Sequence, residues 1–386
     1  MKTNKFLLGL FVATTLLIGC AADDTADVNI TTGGEVTNPT DSNVLGGTLT
    51  EDLELAGNTE YSLESALIVP EGITLTINPG AVLRAATGSD VYVAVLQGGV
   101  INAEGTSSNP IIFTSATATP SAGDWGGVIL LGRAPINSVV GGDNTSTSEI
   151  GGLPYGGSIA NDNSGILRYI RVEYSGGAAD ASSENNGISL YGVGSGTTIQ
   201  YVQVYEGADD GVEFFGGTVN ASFISVIGAQ DDSVDWTEGF SGTLTNVYVE
   251  QGLIGDKGIE GDGFNTDIGN NSNPIFWSAP SITNLTIIGR GSSNENEAIR
   301  LRAGTRAIFN NVLIQGYEEG YDLDDTETGA GFLAGGTGVT DITFEDVILN
   351  LKNDTGATIS ESDFFSGIDN GTGTDYDSWK IGWTRN

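Results

Sequence analysis

The chain has 386 residues, with 58 Gly, one Cys, no His, and 14 Lys plus Arg against 50 Asp plus Glu, a formal charge of −36. Without histidine there is no Ser-His or Cys-His nucleophile and no imidazole ligand for zinc, and a single cysteine makes neither a disulfide framework nor a thiolate cluster. A chain this acidic is repelled by phosphate backbones, so no nucleic-acid partner is expected; carboxylate, Arg, Lys or Tyr chemistry, calcium or carbohydrate binding, or no chemistry at all remain.

Lys2 and Lys5 precede an apolar run from Phe6 to Ile18. That is the pattern of a secretory signal over residues 1–19, too short to span a bilayer as a helix. Leu17-Ile18-Gly19-Cys20 resembles the bacterial lipobox, which implies cleavage before Cys20 and lipidation of that residue. Losing the two lysines takes the charge to about −38. Asp23, Asp24 and Asp27 follow closely, and acidic residues in this place resemble signals that carry lipoproteins to the outer face of the outer membrane. Residues 20–47 are rich in Thr, Asn, Asp and Gly without apolar periodicity, which reads as a flexible acidic tether.

From residue 48 a short motif recurs: Asn185–Leu190, Asp209–Phe214, Asp231–Trp236, Asp256–Glu260, Asn296–Leu301 and Glu318–Leu323. Counted at Ile188, Val212, Val234, Ile259, Ile299 and Tyr321, the spacings are 24, 22, 25, 40 and 22 residues. The 40-residue gap marks an excursion over 262–280. A second strip accompanies each motif, starting at Tyr169, Tyr201, Phe223, Asn246, Asn284, Asn311 and Asp346. Both strips alternate apolar and polar residues between Gly, Asn and Thr, the period-two pattern of strands. A unit of this size cannot bury its own apolar face, so units must stack, with equivalent residues about 4.8 Å apart. The aromatic-then-Asn column at the head of the second strip is expected on inward-facing turns.

These features resemble right-handed parallel β-helices of the pectate-lyase-like superfamily. Val69–Gly80, Asn109–Ser115 and Gly123–Val128 add phrases similar to the opening coils of bacterial surface β-helix proteins. The expected fold is all-β: a single-stranded right-handed parallel β-helix over 48–350 with a C-terminal cap over 351–386. The fold hosts lyases, hydrolases, adhesins and spacers alike, so it implies no activity by itself.

Aligning the motif places Ser189, Glu213, Asp235, Glu260, Arg300 and Asp322 in one column expected to face solvent. Beside it run Asn186, Asp210, Asp232, Lys257, Glu297 and Glu319, then Asn185, Asp209, Asp231, Asp256, Asn296 and Glu318. Like charges stacked at this spacing repel one another. A solvated acidic face is one explanation. Calcium is a second, with Asp209, Asp210, Asp231, Asp232 and Asp235 as ligands, and Asp322, Asp324, Asp325 and Glu327 as a further set. Catalysis is the third, through Glu213, Asp235 and Glu260 as glycosidase carboxylates. Pectate-type lyases use calcium and an Arg that takes a proton, which by resemblance points to Arg300. Trp125 and Trp277 are the candidate sugar-stacking aromatics. Phe214 and Trp236 should pack inward with Leu190, Leu301 and Leu323.

The resulting expectation is an outer-membrane, surface-exposed lipoprotein anchored through Cys20. It binds polysaccharide or an envelope component with Ca²⁺ as its one possible cofactor. A polysaccharide lyase or glycoside hydrolase is the alternative, and a structural spacer the second alternative.

Overall fold

The structure is a computed structural model describing residues 43–138, 144–179, 183–266 and 274–386. The signal segment, Cys20 and most of the tether lie outside the described residues. Strand pairing begins with Val44–Thr48, ahead of the expected boundary at 48.

The chain winds as a right-handed parallel β-helix. Among the described residues twenty-two strands form one continuous parallel network, and a small antiparallel hairpin, Thr145–Thr147 with Pro154–Gly156, stands outside it. Each regular coil contributes three strand segments. The first sheet stacks Val128–Leu131, Ile188–Tyr191, Val212–Phe215, Val234–Thr237, Ile259–Asp262 and Glu297–Arg302. The second and third come from the two halves of the second strip, as in Thr198–Tyr205 on Asn220–Ile227.

One residue separates those halves in each coil. Tyr169, Tyr201, Phe223, Asn246, Asn284, Asn311 and Asp341 all have φ between 49° and 58°. Left-handed backbone at one position bends the strand, so residues three apart, such as Leu167 and Ile170, both enter the core. The residue at the bend therefore points outward, which corrects the expectation of an inward stack. The column itself exists: Tyr169, Tyr201 and Phe223 stack at 4.3 and 4.2 Å, and Asn246, Asn284 and Asn311 are linked by side-chain amide hydrogen bonds of 2.9 and 2.8 Å. The last rung is Asp341, because Val312 pairs with Ile342; the strip beginning at Asp346 is therefore displaced by register.

Inward positions fill the core with large apolar side chains. Leu190, Phe214, Trp236, Leu301 and Leu323 share one fully buried column, as expected. Gly261 interrupts it because a β-carbon there would lie 2.3 Å from the Trp236 ring. Outside the first sheet, Ile136, Ile150, Leu153 and Tyr155 from the 133–163 segment cover Ala94, Ile129, Tyr191 and Phe215, making a second small core.

The C-terminal segment does two jobs. Glu361–Phe364 and Phe365–Ile368 close the last coil, with Phe364 and Phe365 against Tyr321. The chain then turns back along the outside of the helix. Thr372 and Gly373 donate to Asn311, Tyr376 stacks on Tyr248 at 3.8 Å, Trp379 meets Phe223, and Trp383 meets Tyr169 and Tyr201. Residues 369–386 are thus a strap across several coils rather than part of an end cap. Trp383 is fully buried and Trp379 half-buried.

Candidate functional site

The carboxylates lie on the outer side of the first sheet. Strand pairing places Ser189, Glu213, Asp235, Glu260, Arg300 and Asp322 in consecutive register, and Lys352 extends the column by one coil. The turns before these strands carry Asp209–Asp210, Asp231–Asp232 and Asp256–Lys257. Two residues beyond Glu260, Asp262 pairs with Arg302 and joins the same face. Asp262 was missed in the sequence, although its outward position follows from the same alternation.

This face is not solvated as expected. Asp210, Asp232, Glu260 and Asp322 are 6%, 4%, 7% and 1% exposed, and Glu213 and Asp235 are partly buried. The columns stand shoulder to shoulder, and two excursions stand beside them. Asn137 of the 133–163 segment donates to the carbonyls of Gly263 and Phe276, tying it to the excursion over 262–280, whose residues 267–273 lie outside the described set. Behind that contact the buried Glu238 accepts hydrogen bonds from Ser138 (2.5 Å) and Tyr155 (2.6 Å).

Among the described residues, five groups of three carboxylates approach closely enough for one oxygen from each to fall within 4.8 Å of the others. They are Asp209–Asp210–Asp231, Asp210–Glu213–Asp235, Asp231–Asp232–Asp256, Asp232–Asp235–Glu260 and Glu297–Glu319–Asp322. The first expected ligand set is brought together only across overlapping groups, with Asp209, Asp210 and Asp231 in one and Asp232 and Asp235 in another with Glu260. The second is not: Asp325 caps the helix Thr326–Leu333 through the Thr328 amide, Asp324 accepts from Asp325, and Glu327 pairs with Thr326. Only Asp322 of that set enters a triad.

Burial dominates the electrostatics. It pushes Asp209 up to about 8, helped by Glu184 and Asp231, and it holds Asp210, Glu213 and Asp235 well above the usual carboxylate range, with their acidic neighbours adding to the effect. Burial also raises Asp262 to about 7 against the pull of Arg302. Burial opposes the Lys257 ammonium, but Asp232 and Glu260 outweigh it and keep lysine charged.

The cations are already engaged. Lys257 Nζ lies 3.1 Å from Glu260 and 3.6 Å from Asp232, and it also pairs with Asp256. Arg302 bridges Glu260 (2.5 Å) and Asp262 (2.6 Å). Arg300 is held by Glu297 (2.8 Å) and Asp322 (3.7 Å), and Lys352 by Asp322 (2.9 Å) and Glu319 (3.3 Å). Arg300 therefore sits in a ladder of ion pairs.

A family model for the pectate-lyase like beta helix domain matches residues 47–384. The chain belongs to that family. No curated protein and no solved structure matches it. Within this pectate-lyase-like β-helix the two aromatic candidates stand differently from expectation. Trp125 is fully buried and donates its indole N–H to the Glu173 carbonyl, so it has no face for a sugar. Trp277 is half-buried, and the Arg306 guanidinium lies 4.2 Å over its ring. Of the residues that the sequence suggests for chemistry, the carboxylates of the first sheet are the ones this β-helix gathers. Glu213, Asp235 and Glu260 are neighbours on consecutive coils.

Proposed function

We propose that the protein is a lipid-anchored, surface-displayed β-helix that binds polysaccharide or another envelope component through a divalent cation. The observation that carries this reading is the Asp210–Glu213–Asp235 triad. Three carboxylates from neighbouring coils converge within 4.8 Å, largely out of water, with no Lys or Arg ion-paired to any of them among the described residues. Calcium takes six to eight oxygen ligands, so three carboxylates leave positions for sugar hydroxyls or a uronate. Such a bridge lets a strongly acidic surface hold an acidic glycan that it would otherwise repel. The anchor rests on Leu17-Ile18-Gly19-Cys20, and the acidic residues behind Cys20 support display at the outer membrane.

The test is the thermal midpoint of the full chain in detergent, first with EDTA, then with millimolar Ca²⁺, then with a panel of acidic and neutral glycans. Binding to the native state raises the midpoint by mass action. A rise with Ca²⁺ and a further rise with one glycan are expected. No response to either sinks the reading and leaves a structural spacer.

The pairing of Glu213 and Asp235, which burial and acidic neighbours raise above the usual carboxylate range, beside Glu260 on the next coil, supports a second reading as a glycoside hydrolase with one of the pair as the acid. New reducing ends from the glycan that stabilises the chain would establish it. Unsaturated-uronate absorbance would indicate a lyase instead, a reading weakened by the engagement of Arg300 with Glu297 and Asp322.

A further inference from the structure

The three sheets of the helix differ in what stands on their outer sides. An excursion and ion pairs occupy the first sheet, and the strap lies across the third. From Thr198 onward the second sheet carries neither among the described residues. One outward column runs Gln200, Ser222, Thr245, Thr283, Asn310 and Thr340 in unbroken register. Two positions earlier on the same strands stand Thr198, Asn220, Thr243, Ser281, Ile308 and Gly338. No side chain in either column is charged, on a chain whose formal charge is −36. Asn220, Thr243, Ile308, Asn310 and Thr340 are exposed, and the others are half-buried between their neighbours. The field ends at Arg168, which neighbours Gln200 and pairs with Glu104.

Stacking does not demand this neutrality, since the first sheet holds Glu260, Arg300, Asp322 and Lys352 at the same coil spacing. The hydroxyls and amides of the second sheet both donate and accept hydrogen bonds, and the threonine methyls with Ile308 add apolar contact. An uncharged partner meets no repulsion there, unlike an acidic one elsewhere on this surface. The strip is about 30 Å long, with about 7 Å between its columns. That is far below the roughly 800 Å² per partner that a stable dimer buries, so it fits a single extended chain rather than a second copy. At its far end lies a hollow of about 290 Å³ lined by Ile308, Thr337, Thr340, Ser362, Asp363 and Ser366. Ser360 already holds the Asp363 carboxylate there, through its N–H and its hydroxyl.

We propose that the second sheet binds an uncharged polysaccharide, whose chain lies along the two columns with its end in this hollow. Sugar hydroxyls pair with the side-chain hydroxyls and amides, and sugar C–H faces rest on the threonine methyls and Ile308. Each coil repeats the contact, so individually weak pairings add along the strip. A charged side chain in the columns would have to shed its water against a neutral ligand, which is costly. The surface needs no cation and lies on another sheet than the carboxylates, so the inference goes beyond the proposed cation-dependent binding.

The experiment is co-sedimentation of the full chain, in detergent and EDTA, with insoluble cellulose, chitin and β-1,3-glucan. Retention on at least one of these polymers is expected. Thr245→Glu puts a charge in mid-column and should weaken that retention about tenfold or more, through desolvation of the new carboxylate. Ser378→Glu puts the same charge on an exposed position of the strap and should leave retention unchanged. Thr283→Val keeps a good strand former and removes only the hydroxyl; a several-fold loss is expected, which keeps the test decisive if Thr245→Glu fails to fold. No retention of the native chain on any of the three polymers overturns the inference, as does undiminished retention of folded Thr245→Glu or of Thr283→Val. Self-association of the native chain that Thr245→Glu abolishes overturns it in favour of a second copy. Retention of an acidic glycan only with Ca²⁺ overturns it and leaves the proposed function standing. Retention on a neutral polymer in EDTA, with no response to Ca²⁺ in any assay, upholds it while the cation-dependent reading falls.

Discussion

Arg385, the penultimate residue, closes on Glu173 from 212 positions away, with Nη1 2.9 Å from Oε2. Glu173 is buried, and Arg171 (2.9 Å) and Thr114 (2.9 Å) complete its shell. The Arg385 backbone is clasped by the Gln203 amide, which accepts from its N–H and donates to its carbonyl. Its guanidinium also lies over the rings of Tyr174 and Tyr205. The strap is therefore fastened at its far end by charge, amide pairing and aromatic contact together.

Replacing Arg385 by Ala leaves a buried carboxylate with one cation instead of two. The expected loss is about 1–3 kcal/mol in urea unfolding, the range for stranding a buried charged acceptor. Glu173→Gln removes the charge that needs answering, so the double variant should lose less than the two single losses combined, by about 1 kcal/mol. Strict additivity would show that the pair is not coupled.

The coil register was legible because similar short motifs recur, and a column of Ile188, Val212, Val234, Ile259, Ile299 and Tyr321 leaves little freedom in alignment. Segments that break the repeat carried no such signal. The 133–163 excursion buries Ile136, Ile150, Leu153 and Tyr155 against the first sheet, yet its apolar residues are scattered among Gly, Ser and Thr. The strap is not legible in the sequence, because its partners, from Asn311 back to Tyr169, lie far away along the chain. Two successive strips, Asp341–Phe344 and Asp346–Leu349, fit one pattern, and only pairing with Val312 separates them. In the site, the carboxylate columns were visible but their burial was not, since it depends on which side chains flank them across coils.

Asn284 occupies a left-handed position, φ 57°, and links the Asn ladder by donating to Asn246 and accepting from Asn311. Asn284→Gly keeps the backbone geometry and loses only the ladder. Asn284→Ala loses the ladder and keeps a β-carbon without the polar side chain that lets Asn adopt this conformation, at a cost of about 1–2 kcal/mol. Ala should therefore be the less stable variant by about that margin in thermal or urea unfolding. Equal losses would mean that the bend imposes no strain.

Gly211 precedes its strand where a β-carbon would stand 2.4 Å from the Ser233 carbonyl oxygen and 2.4 Å from a Val226 methyl. Neither can retreat, since both belong to the neighbouring coil. Gly211→Ala should destabilise by about 1–3 kcal/mol through overpacking. It should also weaken Ca²⁺ binding in calorimetry, because Asp210 and Glu213 flank the strained residue. Unchanged stability and affinity would show that the coils can separate at this point.

The metal-free chain should have an unusual pH profile. Burial, with Glu184 and Asp231 beside it, moves Asp209 from 3.8 to about 8, and burial moves Asp262 from 3.8 to about 7. A carboxyl raised by folding holds its proton more tightly in the native than in the unfolded chain. Its contribution is complete below the unfolded value and is lost as pH rises through the folded one. In EDTA the thermal midpoint should therefore fall between about pH 5 and pH 8. Calcium binds only the ionised carboxylates, so it should raise the midpoint most near pH 8 and least near pH 5, flattening or reversing the slope. A midpoint that climbs with pH in EDTA would contradict the burial of these acids in the folded chain.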